Sequence, residues 1–426
     1  MIILILRYIL CIETYGSLTW SDGAFLGGKV KEKIRFSLKL SWVITYAVVA
    51  YLIATDIYTP SMPSITRYFG ATEDLIQLTM ASFMLGAFAS TLCSGALAEN
   101  FGRRRIFIGG QLLSVLVSFL CIVVQDPYLL IVARFLQGLG CAVASVIGFS
   151  AVQDNYSPKE SARIFSVMGA AFAVIPALAP TLGGHLDQLW GWRSNFMAIF
   201  FFLSCSCLLS YLFFHLPEKN DQRVPSNLSQ VLKTYASILR NKKFLRYGMM
   251  NPIFISGEWF YLTILPFYFI QVIGVSAPVY GYYLGAMLVS YAIGTYLATK
   301  LIDSIGHDKT IKLAFMTSIW GGGGLLITHV CFPKSPEAVA VCIGIYLIGQ
   351  GLSFTPSITK TLESFDSIRA SASSVRSSIS ALFAVLGTLA ASFFNDFTLI
   401  PLGLYIIFLS LAGLFLFSFL RQNEDS

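Results

Sequence analysis

Charge is what this sequence has little of: Asp, Glu, Lys and Arg make up 12% of its 426 residues, against about 25% in soluble domains. The longest polar stretch runs only from His215 to Lys243, which leaves no room for a soluble domain. There is no GxxxxGK[ST] run, so nucleotide hydrolysis is excluded as an energy source. No Ser-His-Asp or HExxH arrangement occurs, and an enzyme is not expected. The eight cysteines lie mostly inside apolar runs and form no CxxC pair or Cys/His cluster. Neither a metal, a disulfide framework nor any other cofactor is expected from them.

What is present is hydrophobicity. Apolar residues reach 56% and mean hydropathy is +0.71. The apolar runs are about 20 residues long, the length of a membrane-crossing helix, whereas barrel strands alternate over about 10 residues. The fold class is therefore an all-α integral membrane protein. Reading apolar runs against turns gives twelve spans, near 40–62, 74–97, 106–124, 128–152, 162–184, 194–214, 245–271, 279–301, 310–331, 337–358, 371–393 and 399–420. The net charge of +7 does not indicate nucleic acid, because the basic residues sit in short segments beside the spans. On one side these segments hold 24 Lys and Arg; on the other only Arg67, Arg193 and Lys334. That asymmetry places the rich side, with both termini, in the cytoplasm.

The chain repeats itself. Gly95 to Arg105 reads GALAENFGRRR, and 204 residues after Glu99 and Gly102 stand Asp303 and Gly306, within KLIDSIGHDK. A repeat of that period implies two homologous membrane halves. Residues 36–214 are assigned to a first six-helix bundle, 215–243 to a cytoplasmic linker, 244–421 to a second bundle and 422–426 to a tail. In the linker, Leu228, Val231, Leu232, Tyr235, Ile238 and Leu239 recur at helical spacing, which predicts an amphipathic helix on the membrane surface. Residues 1–35 are atypical: a short apolar start and mixed polar residues precede Lys29, Lys31, Lys33, Arg35 and Lys39. The native start is expected near Val30.

Ionisable groups inside spans are functional candidates, because hydrocarbon penalises charge by several kcal/mol. Three stand out. Asp56 lies late in span 1, in ATDIYTPSMP. A carboxyl facing a partly dry cavity can load and release a proton, since desolvation disfavours its charged form. Pro60 and Pro63 loosen the helix end beside it. The alternative is that Asp56 only reaches the outer interface and caps local backbone. Arg134, early in span 4, cannot lose its proton and needs a partner or a polar wall; Gln137 lies one turn away. That pair either tunes the span-1 carboxylate or clamps helices together. Glu258, in the middle of span 7, has Phe254, Ser256, Trp259, Tyr261 and Tyr268 around it. An acid among aromatics suits a lipophilic cation, although a second proton site and a hydrogen-bonded residue without a role are also open. Asp154 stands at the end of span 4. Span 5 carries Gly169, Pro176, Pro180, Gly183 and Gly184, where kinks and close helix approach predict a hinge or seal. Span 8 has Gly281 and Gly285 in GxxxG spacing.

Together these motifs resemble the major facilitator superfamily. Gly95, Gly102, Arg103 and Arg104 match its loop 2–3 signature, with Glu99 in place of the usual Asp and Asn100 in place of a basic residue. Arg134, Gln137 and Gly138 match its RxxQG motif, and the span-5 run resembles GPxxGG with Ala179 replacing the first Gly. More narrowly, Asp56-Ile-Tyr-Thr-Pro60 followed by Met62-Pro63 resembles the D-M-Y-x-P-x-x-P segment of Bcr/CflA-type drug:proton antiporters, and Asn227 to Phe244 their central-loop helix. The resemblance implies two six-helix bundles, alternating access and export of small molecules in exchange for protons across a bacterial inner membrane. It implies Asp56 and Arg134, with Gln137 beside them, as proton-coupling residues; the residues themselves suggest Tyr58, Phe254, Glu258, Trp259 and Tyr261 as the lining of a substrate cavity. Gly95, Glu99, Gly102, Arg103, Arg104, Asp303 and Gly306 would form a cytoplasmic gate, and Pro176, Pro180, Gly183 and Gly184 a seal. The expected partners are a small-molecule substrate, protons and the lipid bilayer, around a monomer. A dedicated metabolite or siderophore exporter and an uncoupled facilitator are the other readings.

Overall fold

The computed structural model describes residues 28–215, 236–363, 369–394 and 398–422. The expectations for residues 1–27 and for most of the linker helix lie outside these. Of that helix, 236–239 is described and helical, and its Ile238 is buried against Phe244 and Val375.

The first half begins with α1 (Gly28–Asp56), which ends in a turn, a short 3-10 segment (Thr59–Ser61) and α2 (Met62–Phe69). Then come α3 (Glu73–Phe101), α4 (Arg103–Val123), α5 (Pro127–Asn155), α6 (Pro158–Trp190) and α7 (Arg193–Phe213). The second half has α8 (Lys242–Gly248), α9 (Met250–Phe267) with a wide terminal turn (Tyr268–Ile273), and α10 (Ala277–Ile305). It continues through α11 (His307–Cys331), α12 (Pro336–Glu363), α13 (Arg369–Ala391) and α14 (Leu399–Gln422). Among the described residues, 11 helical stretches are long and apolar enough to cross a membrane, and Val375–Ala391 is a shorter apolar one. That last helix is α13, span 11 of the sequence reading, whose first two turns carry Arg369 and Arg376.

The helix ends follow local chemistry. Asp126 accepts the amide of Tyr128 at 2.7 Å to start α5, and Ser157 with Glu160 forms a capping box that starts α6. The repeated glycines make the same joint twice. Gly102 (φ 92°) donates its amide to Ala98 and opens α4; Gly306 (φ 84°) donates to Ile302 and opens α11. Such angles are open to glycine without penalty. Helix α6 continues through both Pro176 and Pro180. Around the outside, large apolar side chains face outward, among them Phe393 (81% exposed), Val330 (78%) and Trp320 (76%), as a lipid-facing surface requires.

The halves are joined at one end. There α6 packs on α10, and α3 on α13. A Cβ at Gly184 would lie 2.5 Å from the carbonyl oxygen of Ala277, and one at Gly281 would lie 2.5 Å from the Cα of Thr181. A Cβ at Gly285 would lie 3.0 Å from the carbonyl oxygen of Ala177. The GxxxG spacing of α10 thus lies flat against α6, as small residues permit. His185 and Tyr282 hydrogen-bond across the same seam at 2.9 Å. Toward the other end, which carries Gly102 and Gly306, each half has its own apolar cluster. Leu40, Val43, Ile44, Phe107, Ile147 and Phe214 form one, and Ile238, Phe244 and Val375 the other.

Candidate functional site

Where α1 ends, the chain turns because Pro60 and Pro63 have no amide to continue a helix. Asp56 is the last residue of α1 and is buried (6% exposed). Thr59 Oγ1 donates to the Asp56 carbonyl at 2.9 Å. Among the described residues no donor reaches the Asp56 carboxylate, which lies within electrostatic reach of Glu258 and Arg134.

Arg134 is completely buried on α5. Its guanidinium lies between the rings of Tyr58 and Phe83, 4.1 Å from each centroid. Such stacking holds a planar cation without neutralising it. Its Nη1 donates to Gln137 Oε1 at 2.5 Å and to the Ala54 carbonyl at 3.2 Å, an acceptor in the last turn of α1. Gln137 Nε2 donates in turn to Ser118 Oγ at 2.7 Å. Nε and Nη2 of Arg134 have no partner within the described residues. Tyr58 is fixed from its far side, its hydroxyl 3.2 Å from Thr79 Oγ1. The bond to Ala54, the rings and the electrostatic reach together tie α5 to the end of α1 that carries Asp56.

Across the molecule, Glu258 lies in the middle of α9 and is half-buried. Gln350 on α12 donates Nε2 to Glu258 Oε2 at 2.7 Å. Trp259 is half-buried beside it, whereas Tyr261 is fully buried within electrostatic reach of both Glu258 and Asp56. Phe254 faces the core and stacks on Phe315 with centroids 5.0 Å apart. Acids from both halves thus lie within electrostatic reach of one another, and Tyr261 within reach of both.

The charged turns lie elsewhere. Arg103 is ion-paired with Asp154 at the end of α5, and Arg104 Nη2 donates to the Tyr211 carbonyl at 3.0 Å. Glu99 and Asp303 are exposed on the last turns of α3 and α10, and Gly95 lies within α3. Of the span-5 residues, Gly183 meets the end of α1: a Cβ there would fall on the Ile57 carbonyl oxygen. Pro176 and Pro180 lie one turn apart on the α6 segment that faces α10.

Several polar residues escaped the sequence reading. Gln350 and Ser118 are neutral and far along the chain from the groups they bind. Arg246 and Arg376 entered the reading only through the count of flanking charges, and the structure shows that both turn inward. Arg246 is 4% exposed, between Tyr247 and Phe417, and paired with Asp308 at 2.6 Å. Arg376 is half-buried on α13, with its Nε buried and unpartnered, near Tyr291. Each lies within two turns of its helix start, so flank and span cannot be separated by counting charges. A polar residue within an apolar run was the available signal.

The comparisons agree on one kind of protein. An MFS-type transporter of Bacillus subtilis, YdgK, is 24% identical over 382 residues, covering 88% of this chain and 94% of that one. A bicyclomycin resistance protein homolog of Haemophilus influenzae is 22% identical over 387 residues, covering 88% and 96%. The multidrug resistance protein MdtL of Escherichia coli is 23% identical over 306 residues, covering 72% and 75%. Among solved structures, a bacterial homolog of the human lysosomal transporter Spinster shares the fold with a TM-score of 0.66 at 14% identity, over 91% of this chain and 95% of its own. A mutant of the nucleoside transporter NupG gives 0.67 at 11% identity, over 90% and 99%. The model of the Major Facilitator Superfamily matches residues 44–388, and the chain belongs to that superfamily of transporters.

Proposed function

We propose that this transporter exports small amphipathic molecules, in the manner of drug efflux, in exchange for protons. The observation that carries the reading is the setting of Asp56: a buried carboxylate with no donor among the described residues, beside a cation that cannot be discharged. Protonated, Asp56 is neutral and at ease in a dry interior. Ionised, it is drawn to the guanidinium of Arg134, whose Nε and Nη2 have no partner. Each proton loaded or released therefore changes the attraction between Asp56 and Arg134, on α1 and α5, and the repulsion between Asp56 and Glu258 in the opposite half. That is a differential interaction by which a proton biases one conformation over another.

The Lys/Arg-rich end, with both termini, is taken as cytoplasmic in a bacterial inner membrane, and the chain as a monomer. The seam of Gly184, Gly281 and Gly285 is then an outer seal, and the substrate path opens toward the inner end. Pro176, Pro180 and Gly183 shape the seal. Glu99, Arg103 and Arg104, on the turn at Gly102, and Asp303, on the turn at Gly306, form the inner gate that closes when the halves rock. The drug-resistance relatives support export, and Asp56 supports coupling.

The test uses proteoliposomes with an imposed pH gradient and a pH-sensitive dye inside. Lipophilic cations, zwitterions and siderophore-like compounds are added to wild type and Asp56→Asn. Substrate-dependent proton movement, lost in Asp56→Asn, is expected. Substrate movement without protons in both proteins would make the chain a facilitator.

A further inference from the structure

The surroundings of Glu258 have a chemical asymmetry that proton coupling at Asp56 leaves unused. Three nearby hydroxyls bond to other protein groups. Tyr346 donates its hydroxyl to the Phe254 carbonyl at 2.5 Å, held close because residue 257 is glycine. Ser256 and Tyr405 bond each other at 2.8 Å. Gln350, 4% exposed, gives its amide nitrogen to Glu258, which fixes the orientation of the carboxamide. Its Oε1 is left buried, with no donor reaching it within the described residues. Tyr261, fully buried, has a hydroxyl that is likewise unmet. Among the described residues no Lys or Arg pairs with Glu258. An unmet buried polar atom costs about 1–3 kcal/mol, so the Gln350 carbonyl oxygen, next to a carboxylate without a cation among the described residues, calls for a charged donor.

A carboxylate and a carbonyl oxygen held side by side ask for two N–H groups on one positive centre. A quaternary ammonium has the charge but no N–H. A neutral amide has the N–H but not the charge. The flanking Trp259 is half-buried and offers an apolar wall.

We propose that Glu258 and Gln350 form the cargo-charge site of this transporter, and that its ligand is a protonated primary or secondary amine carrying an apolar body. One N–H goes to Glu258, another to Gln350 Oε1, and Tyr261 stands on the path toward Asp56. The inference rests on the transport reading only for the use made of the site; binding itself needs no proton gradient.

The experiment is equilibrium binding of tritiated 4-phenylbutylamine to the full chain in detergent at neutral pH, in competition with its N-trimethyl counterpart. Wild type is expected to bind the amine at least about tenfold more tightly than the trimethyl compound, roughly 1.4 kcal/mol. Glu258→Gln and Gln350→Leu are each expected to lose about tenfold in amine affinity, with elution profiles and thermal unfolding verifying the fold. Gln350→Leu keeps the carboxylate, so it tests the site even where Glu258→Gln fails to fold. Equal binding of the two compounds by wild type, binding of neither, or wild-type amine affinity in a folded variant overturns the proposal. Amine binding that survives while proton movement is absent would overturn the coupling at Asp56 and leave this site standing.

Discussion

Arg134 and Asp56 lie on packed helices within electrostatic reach of one another, yet the guanidinium bonds to Gln137 and to the backbone of Ala54 and not to the carboxylate. The cation is positioned by neutral partners and two rings, which leaves Asp56 able to change charge without releasing Arg134.

Replacing Arg134 by Lys keeps the charge and removes the plane. An ammonium cannot fill the space between Tyr58 and Phe83 while holding both acceptors. Uphill export by Arg134→Lys, measured in proteoliposomes, is expected to fall by about tenfold or more, as for loss of a charged hydrogen bond of about 1.5–3 kcal/mol. Export at the wild-type rate would show that charge alone suffices.

Gly183→Ala places a methyl group on the Ile57 carbonyl oxygen in a joint with no slack. Overpacking of this kind costs about 1–3 kcal/mol. A lower thermal unfolding midpoint in detergent is the expected outcome. Gly95→Ala, within α3, where a Cβ meets nothing within 4 Å, should not lower it and gains the helix preference of alanine.

The seam between α6 and α10 can be tested by cross-linking. His185→Cys with Tyr282→Cys, in a chain freed of its native cysteines, replaces two side chains that meet across the seam and adds no Cβ to a glycine contact. A short, reducible bifunctional thiol reagent is expected to link them and stop transport, and a reductant to restore it. Absence of the cross-link would mean that the seam is open at rest.

The spans and the repeat were legible in the sequence because they depend on apolar run length and on two glycines that make one joint. Gly102 and Gly306 reveal themselves by spacing alone. Asp56, Arg134 and Glu258 stood out for a related reason: charge in an apolar run is conspicuous. What could not be read was which neutral atoms those charges meet. Gln350 lies 92 residues from Glu258, and nothing local in either segment specifies the pairing. The inward contacts of Arg246 and Arg376 were not legible because a cation near a helix start reads as a topology signal. Whether it turns inward depends on a partner such as Asp308, supplied by another helix.

That partner provides a further prediction. Asp308 accepts from Arg246 and, at 2.8 Å, from the Tyr247 hydroxyl. Asp308→Asn removes this carboxylate from beside a nearly buried guanidinium. Because Asp308 is itself partly exposed (32%), the loss is expected to be about 1–3 kcal/mol, below that of a fully buried pair. Thermal unfolding of the purified chain measures it.

The claim that Asp56 exchanges its proton for substrate is tested most directly by proton release on binding. A compound shown to be transported is added to purified protein in weakly buffered detergent, and the pH is recorded. Wild type is predicted to release protons in proportion to the substrate bound, and Asp56→Asn to bind without releasing any. No release from wild type, or equal release from Asp56→Asn, would contradict the account.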